Sequence, residues 1–257
     1  MRSATVAVPE RRSSRTRLEF TSMRYAVRKI AIFIGLVLLL CPRSYGDIVI
    51  SEVYSAGSGN TNNYGVDWFE LTNTGPSDVD ITGWRMDDNS NSFASSVLFG
   101  NEVTVIQAGK SVVFLETSSA NYGTRAASFN NFWFGAPTSS VLIGSYNGSG
   151  VGLGTGGDQV NIFDSTGVKQ ASVTFGTATI GFTFDNAAGL NNSTISQLSV
   201  AGINGAFVSI GTNAPGPGTE TGSPGTISTF SSVPEPTSIA LAGLGGLFAV
   251  VMRRRKT

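Results

Sequence analysis

The strongest constraint on this chain is punctuation. From residue 47 onward its β-branched and aromatic residues come in short runs that Gly, Asn and Asp repeatedly cut off. "DIVISEVYSAGSG" opens the series, with Ile48, Ile50 and Val53 alternating with more polar neighbours at the period of a half-buried strand. Runs of the same kind follow in "VDWFELTNTG" (66–75), "DVDITGWRM" (78–86), "NEVTVIQAG" (101–109), "KSVVFLET" (110–117), "SSVLIGSY" (139–146), "DQVNIFDSTG" (158–167) and "KQASVTFG" (169–176). Many short strands with closely spaced turns predict an all-β, antiparallel β-sandwich. No window of this body sustains a helical period, so no helix is expected in it.

What the chain lacks narrows its chemistry. It has no histidine, and its one cysteine, Cys41, falls in a segment that reads as a removable leader. A Ser-His-Asp triad, a thiolate nucleophile, a disulfide and a thiolate zinc site are therefore excluded from the mature body. Charge is unevenly placed. Nine of the 17 Lys and Arg lie in 1–46 and four more in 253–256, which leaves Arg85, Lys110, Arg125 and Lys169 against 14 acids in 47–232, a net −10. Such a body repels phosphate, so no nucleic-acid partner is expected, while divalent cations or basic partners are tolerated.

Both ends read as addresses. "MRYAVRKIAIFIGLVLLLCPRSYGD" has basic Arg24, Arg28 and Lys29, an apolar run over 30–40, and small Ser44 and Gly46 placed for cleavage before Asp47. Residues 1–46 are therefore expected to be a signal peptide, with Met23 as its true start. Lipidation at Cys41 is disfavoured, because Leu40 before it is too bulky. At the other end an apolar run of 15 residues, 238–252, reaches about 22 Å as a helix against a hydrocarbon core of about 30 Å. The basic cluster Arg253, Arg254, Arg255 and Lys256 would hold that end in the cytoplasm. Directly before the run stand Val233, Pro234, Glu235 and Pro236. A Pro-Glu-Pro element, a short transmembrane helix and an Arg-rich terminus, in that order, resemble the PEP-CTERM sorting signal. That resemblance implies recognition by an exosortase, a membrane-embedded cysteine protease, and passage through the secretion machinery. The chain would then be transiently membrane-anchored, and exported to the cell surface, outer envelope or extracellular space.

The body carries a second resemblance. Glu52, Trp68, Glu70, Leu71, Asn73, Gly75, Gly83, Trp84 and Gly109 fall on a strand ending in Ser-Glu, a Trp-x-Glu-Leu-x-Asn-x-Gly element, a Gly-Trp element and a strand-turn-strand. This order resembles the lamin-tail domain, which implies an immunoglobulin-like antiparallel β-sandwich over 47–212. Glu52, Glu70 and Asn73 would then build the fold, accepting backbone hydrogen bonds near strand ends. The chain departs from a compact lamin-tail domain in a Gly- and Asn-rich stretch between Thr117 and Gly157, read as an inserted hairpin or loop region. Residues 213–232 read as a Pro/Gly/Ser/Thr linker, although "GSPGTIS" (222–228) resembles the family's closing Ser-Pro-Gly. Residues 233–257 form the sorting signal.

Three constellations have two readings each. Glu52 and Glu70 as an acid-base pair would need a nucleophile or metal partner that nothing else supplies. Asp87, Asp88, Asn89 and Asn91 gather oxygen ligands suited to calcium, yet lack EF-hand spacing and its bidentate Glu, so a solvated turn competes with a metal site. Phe129, Phe132, Trp133 and Phe134 form either a binding surface for sugars or an apolar partner, or core packing of the insertion. The Gly-x-Gly pairs of 148–158 lack the helix and Lys of a phosphate loop. The expectation is a secreted, non-catalytic structural or adhesive module without cofactor, contacting extracellular polysaccharide or surface proteins. The alternatives are a calcium-dependent carbohydrate-binding module and a carboxylate-based surface hydrolase.

Overall fold

The computed structural model describes residues 48–57, 64–186, 194–211 and 218–226. The expected signal peptide and the sorting tail, with Val233 to Pro236 and Arg253 to Lys256, lie outside the described residues. Strands β1 (Ile48–Tyr54), β2 (Trp68–Asn73), β3 (Val79–Asp80), β4 (Arg85–Asp87), β5 (Val97–Leu98), β6 (Val105–Ile106) and β7 (Ser111–Glu116) come first. Helix α1 (Tyr122–Phe134) follows, and then β8 (Leu142–Tyr146), β9 (Asp158–Phe163), β10 (Lys169–Phe175), β11 (Phe184–Asp185), β12 (Thr194–Ile195), β13 (Phe207–Val208) and β14 (Thr221–Gly222). One five-stranded sheet runs β11-β1-β2-β7-β8 and the other β12-β10-β9-β4-β5, with most pairs antiparallel.

The alternation read in the sequence sets the inner core. Phe69 and Leu71 pair with Phe114 and Val112 across β2 and β7, and they meet Met86, Val160, Ile162 and Val173 of the other sheet in one buried cluster. Phe69, Phe99 and Phe114 stack there, with ring centroids 4.2 Å apart for Phe99 and Phe114. A bulge between Ile50 and Glu52 inserts one extra residue in β1. That shift explains how Ile50 and Val53, three apart, both reach the inner core.

The first sheet is not half-buried, as the alternation predicts, but buried on both faces. Every residue of β1 and β2 is buried. The outward residues Tyr54, Trp68, Val113, Leu115 and Ile143 join Phe129, Phe132 and Trp133 of α1 in a second apolar cluster. This helix overturns the expectation that the body has none. Its sequence is poor in helix formers, with Gly123, Asn130 and Asn131, and Asn121 makes no side-chain cap. It is held instead by tertiary packing, since a fully buried large apolar side chain contributes roughly 1.5–3 kcal/mol. At its C-terminus Gly135 turns left-handed, φ 72°, and its N–H bonds the Asn131 carbonyl.

The stretch between Thr117 and Gly157, read as an inserted hairpin or loop region, holds α1 and β8 between its loops. β8 pairs parallel with β7, and parallel neighbours need a crossover, which α1 supplies. Nor is all of 213–232 a free linker. Within it β14 pairs with β13, and Glu220, Thr221 and Ser223 are buried.

Candidate functional site

Glu52 and Glu70 face each other across β1 and β2, both buried. The bulge in β1 and the outward parity of Glu70, which lies between inward Phe69 and Leu71, bring the two carboxyls onto one patch. Thr183 Oγ1 donates to Glu52 Oε1 at 2.5 Å and the Ser223 N–H at 2.7 Å. Ser51 Oγ donates to Glu70 Oε1 at 2.6 Å and the Gly225 N–H to Oε2 at 2.5 Å. Thr72 Oγ1 links Ser51 to Ser111, which completes a buried hydroxyl chain. Glu52 Oε2 is buried and accepts no hydrogen bond. Burial, then the negative charges of Glu70 and Asp185, push the Glu52 carboxyl up to about 8. Burial likewise pushes Glu70 up to about 7, against hydrogen bonds from Ser51 and Gly225 that favour its ionised form. The arrangement satisfies buried N–H and O–H groups.

Glu220 is a third buried glutamate among the described residues. Glu220 accepts from Tyr54 at 2.9 Å and from the Tyr64 hydroxyl. Trp68 Nε1 donates to that same Tyr64 oxygen at 3.3 Å, and the Trp68 ring stands edge-on to Phe129 and Trp133. Burial next to Glu220 pushes the Tyr64 phenol well above 10.

At the end of β7 lies a group that sequence reasoning missed. The Glu116 N–H bonds the Asp67 carbonyl at 2.9 Å, and Glu116 pairs with Tyr146 across β7 and β8. Partial burial and neighbouring Asp67 push Glu116 up to about 7. The Tyr146 hydroxyl is buried without a hydrogen-bond partner. The signal was there: 67, 116 and 146 each stand two residues from Phe69, Phe114 and Gly144, on the same face of paired strands.

The remaining motif residues hold turns. Asn73 Nδ2 donates to the Ser77 and Ile106 carbonyls at 2.8 and 2.9 Å, while its Oδ1 accepts the Gly75 N–H. Gly83 takes φ 75° in the turn that presents Trp84 to the inner core. In the loop of Asp87, Asp88, Asn89 and Asn91, Asp87 Oδ2 accepts Ser90 Oγ and the Ser92 N–H, and Asp88 Oδ1 accepts the Ser90 N–H. The Asn89 N–H reaches Asp158, and Asn91 Oδ1 accepts Lys169 Nζ. These are the bonds of a closed turn, although Asp87 Oδ1 is buried without a partner. Among the described residues no three Asp, Glu, His or Cys side chains converge as a metal site requires. Of the two readings of Phe129, Phe132, Trp133 and Phe134, core packing describes them and a binding surface does not: Phe129, Phe132 and Trp133 are at most 1 % exposed, and half-buried Phe134 leans on Phe207. Their i, i+3, i+4 spacing is that of a buried helical face.

Two β-sheets packed face to face around one apolar core define an immunoglobulin-like β-sandwich. The profile of the Lamin Tail Domain matches residues 42–177, and the chain belongs to that family. The PEP-CTERM protein-sorting motif matches residues 232–256, which makes the C-terminal end an address for export and exosortase processing. No curated protein matches the chain. Among the described residues no helix is long and apolar enough to cross a membrane; the apolar run of 238–252 lies outside them. Beyond the family match lie Thr183, Ser223 and Gly225, which donate to Glu52 and Glu70.

Proposed function

We propose that this chain is a non-catalytic structural or adhesive module of the cell surface or extracellular matrix. On this reading the signal peptide exports it and an exosortase processes it at Pro234-Glu235-Pro236. The observation that carries the reading is the union of a lamin-tail sandwich with a sorting motif on one chain. The buried carboxylates support it, because Glu52, Glu70 and Glu220 serve as acceptors for hydroxyls and backbone amides. The body's net −10 favours neutral polysaccharide or basic surface proteins as contacts over nucleic acid. Intact mass of the protein recovered from native cells and medium is the test. A species beginning at Asp47 and ending near Pro236 is expected; one that retains 237–257 at the surface would overturn the processing step.

A second reading, a calcium-dependent carbohydrate-binding module, is favoured by the unpartnered buried Oδ1 of Asp87. A ligand that binds only the native state stabilises it by about 2.7 kcal/mol at a hundred times its Kd. The first reading expects the melting temperature in millimolar calcium to match that in chelator, whereas a clear rise would favour the second.

A further inference from the structure

The last described segment is held in two ways. Residues 220–222 are tied by backbone pairing: the Thr221 N–H bonds the Gly181 carbonyl at 2.8 Å, Thr183 N–H the Thr221 carbonyl at 3.1 Å, and Ser209 N–H the Glu220 carbonyl at 2.7 Å. Residues 223–226 have no such ladder. Among the described residues their amides reach the rest of the domain through the carboxylates, Ser223 N–H on Glu52 at 2.7 Å and Gly225 N–H on Glu70 at 2.5 Å. The fit is close. A methyl group on Gly222 would stand 2.8 Å from Glu52 Oε1, and one on Gly225 2.3 Å from Val141 Cγ2.

We propose that Glu52 and Glu70 form a proton-dependent latch that fastens residues 223–226 to the outer face of the first sheet and releases them as the pH rises. The two acids are cross-strand neighbours with one closing segment over both. The charged groups that face them act in one direction. Asp185 of β11 adds negative charge to both. Arg125 of α1 donates to the Tyr64 carbonyl at 2.6 Å. When both acids ionise, the Ser223 and Gly225 N–H bonds strengthen, but burial and like charge outweigh that gain, and among the described residues no cation is bonded to either acid; lifting 223–226 admits water to them.

The sign follows from the closed state holding protons that the open state gives up. Carboxyls held up to about 8 and about 7 when closed, and returning towards 4.5 when hydrated, stabilise closure fully below about pH 4.5. That stabilisation is lost as pH rises through 7 and 8. Each proton released on opening raises the opening constant by up to about tenfold per pH unit.

Hydrogen exchange on the full-length chain between pH 5 and 9, corrected for intrinsic rates, tests the latch. Protection of the Ser223 and Gly225 amides should fall roughly tenfold or more per unit up to about pH 8, while Thr221 and Val113 hold theirs. The double variant Glu52→Gln, Glu70→Gln cannot ionise, so its Ser223 protection should be flat. Gly225→Ala, which removes the seat against Val141, should leave Ser223 open at every pH. A flat wild-type profile, or a fall shared equally by Thr221 and Val113, overturns the proposal even if the variants fail to fold. The test does not depend on the tail: a sorting motif that proves to be uncut would sink the proposed processing and leave the latch standing.

Discussion

The two faces of the first sheet are built on different terms. Its inner face meets the second sheet through Phe69, Leu71, Val112 and Phe114, within an apolar core. Its outer face is divided between an aromatic patch under α1 and a polar patch where Ser51, Glu52, Glu70, Thr72 and Ser111 are buried together. The inner face needs only apolar area and shape, which many sequences supply. The outer polar patch needs each donor and acceptor matched, so it depends on residues brought from far along the chain.

Substitutions can break this contrast. Phe114→Ala opens a cavity among three stacked rings and should cost about 3–5 kcal/mol of global stability, read from urea denaturation. Trp133→Ala should cost about as much if the helix is integral to the domain. If the outer layer is subordinate, exchange of α1 amides will rise while the urea midpoint barely moves. Asn73→Ala removes two donated bonds and one accepted bond at the β2 turn and should cost about 1–3 kcal/mol. The smallest effect belongs to Glu116. It holds its proton to about 7 in the fold, whereas an unfolded Glu releases it near 4.5, so its contribution is fully present below about pH 4.5 and lost as pH rises through 7. Since Glu116 is partly solvated, Glu116→Gln should flatten the stability profile between pH 5 and 8 by only about 0.5–1 kcal/mol. A steeper profile in that variant would contradict the assignment.

The same contrast separates what the sequence makes legible from what it hides. Alternation in 66–75 and 110–117 places Phe69, Leu71, Val112 and Phe114 inward, because period two and one apolar face suffice to define a sandwich core. Alternation cannot reveal that the polar face is covered too. Glu70 and Ser51 look like solvent-facing residues until Gly225, 155 positions away from Glu70, closes over them. The helix is hidden for a local reason: Phe129, Phe132 and Trp133 carry its period, but Gly123, Asn130 and Asn131 dilute it. Composition reads 220–226 as linker, since Gly and Pro punctuate docked segments and free linkers alike, and only the resemblance of "GSPGTIS" to the family's closing element points to a docked end. The glutamate and asparagine positions were legible through family resemblance, whereas Thr183, Ser223 and Gly225, which bond the glutamates, lie beyond the matched residues.

The docking of 220–226 also bears on how a module fixed by its C-terminal end would carry load. Tension entering from that side meets Gly225 and Ser223 first, then the paired Thr221, and only afterwards the sheets. Peeling the described residues 218–226 away would add nine residues of slack, about 30 Å when extended, before the sandwich itself is strained. Under the proposed surface role the segment would be the part of the described chain that yields first under pull, ahead of the sheets.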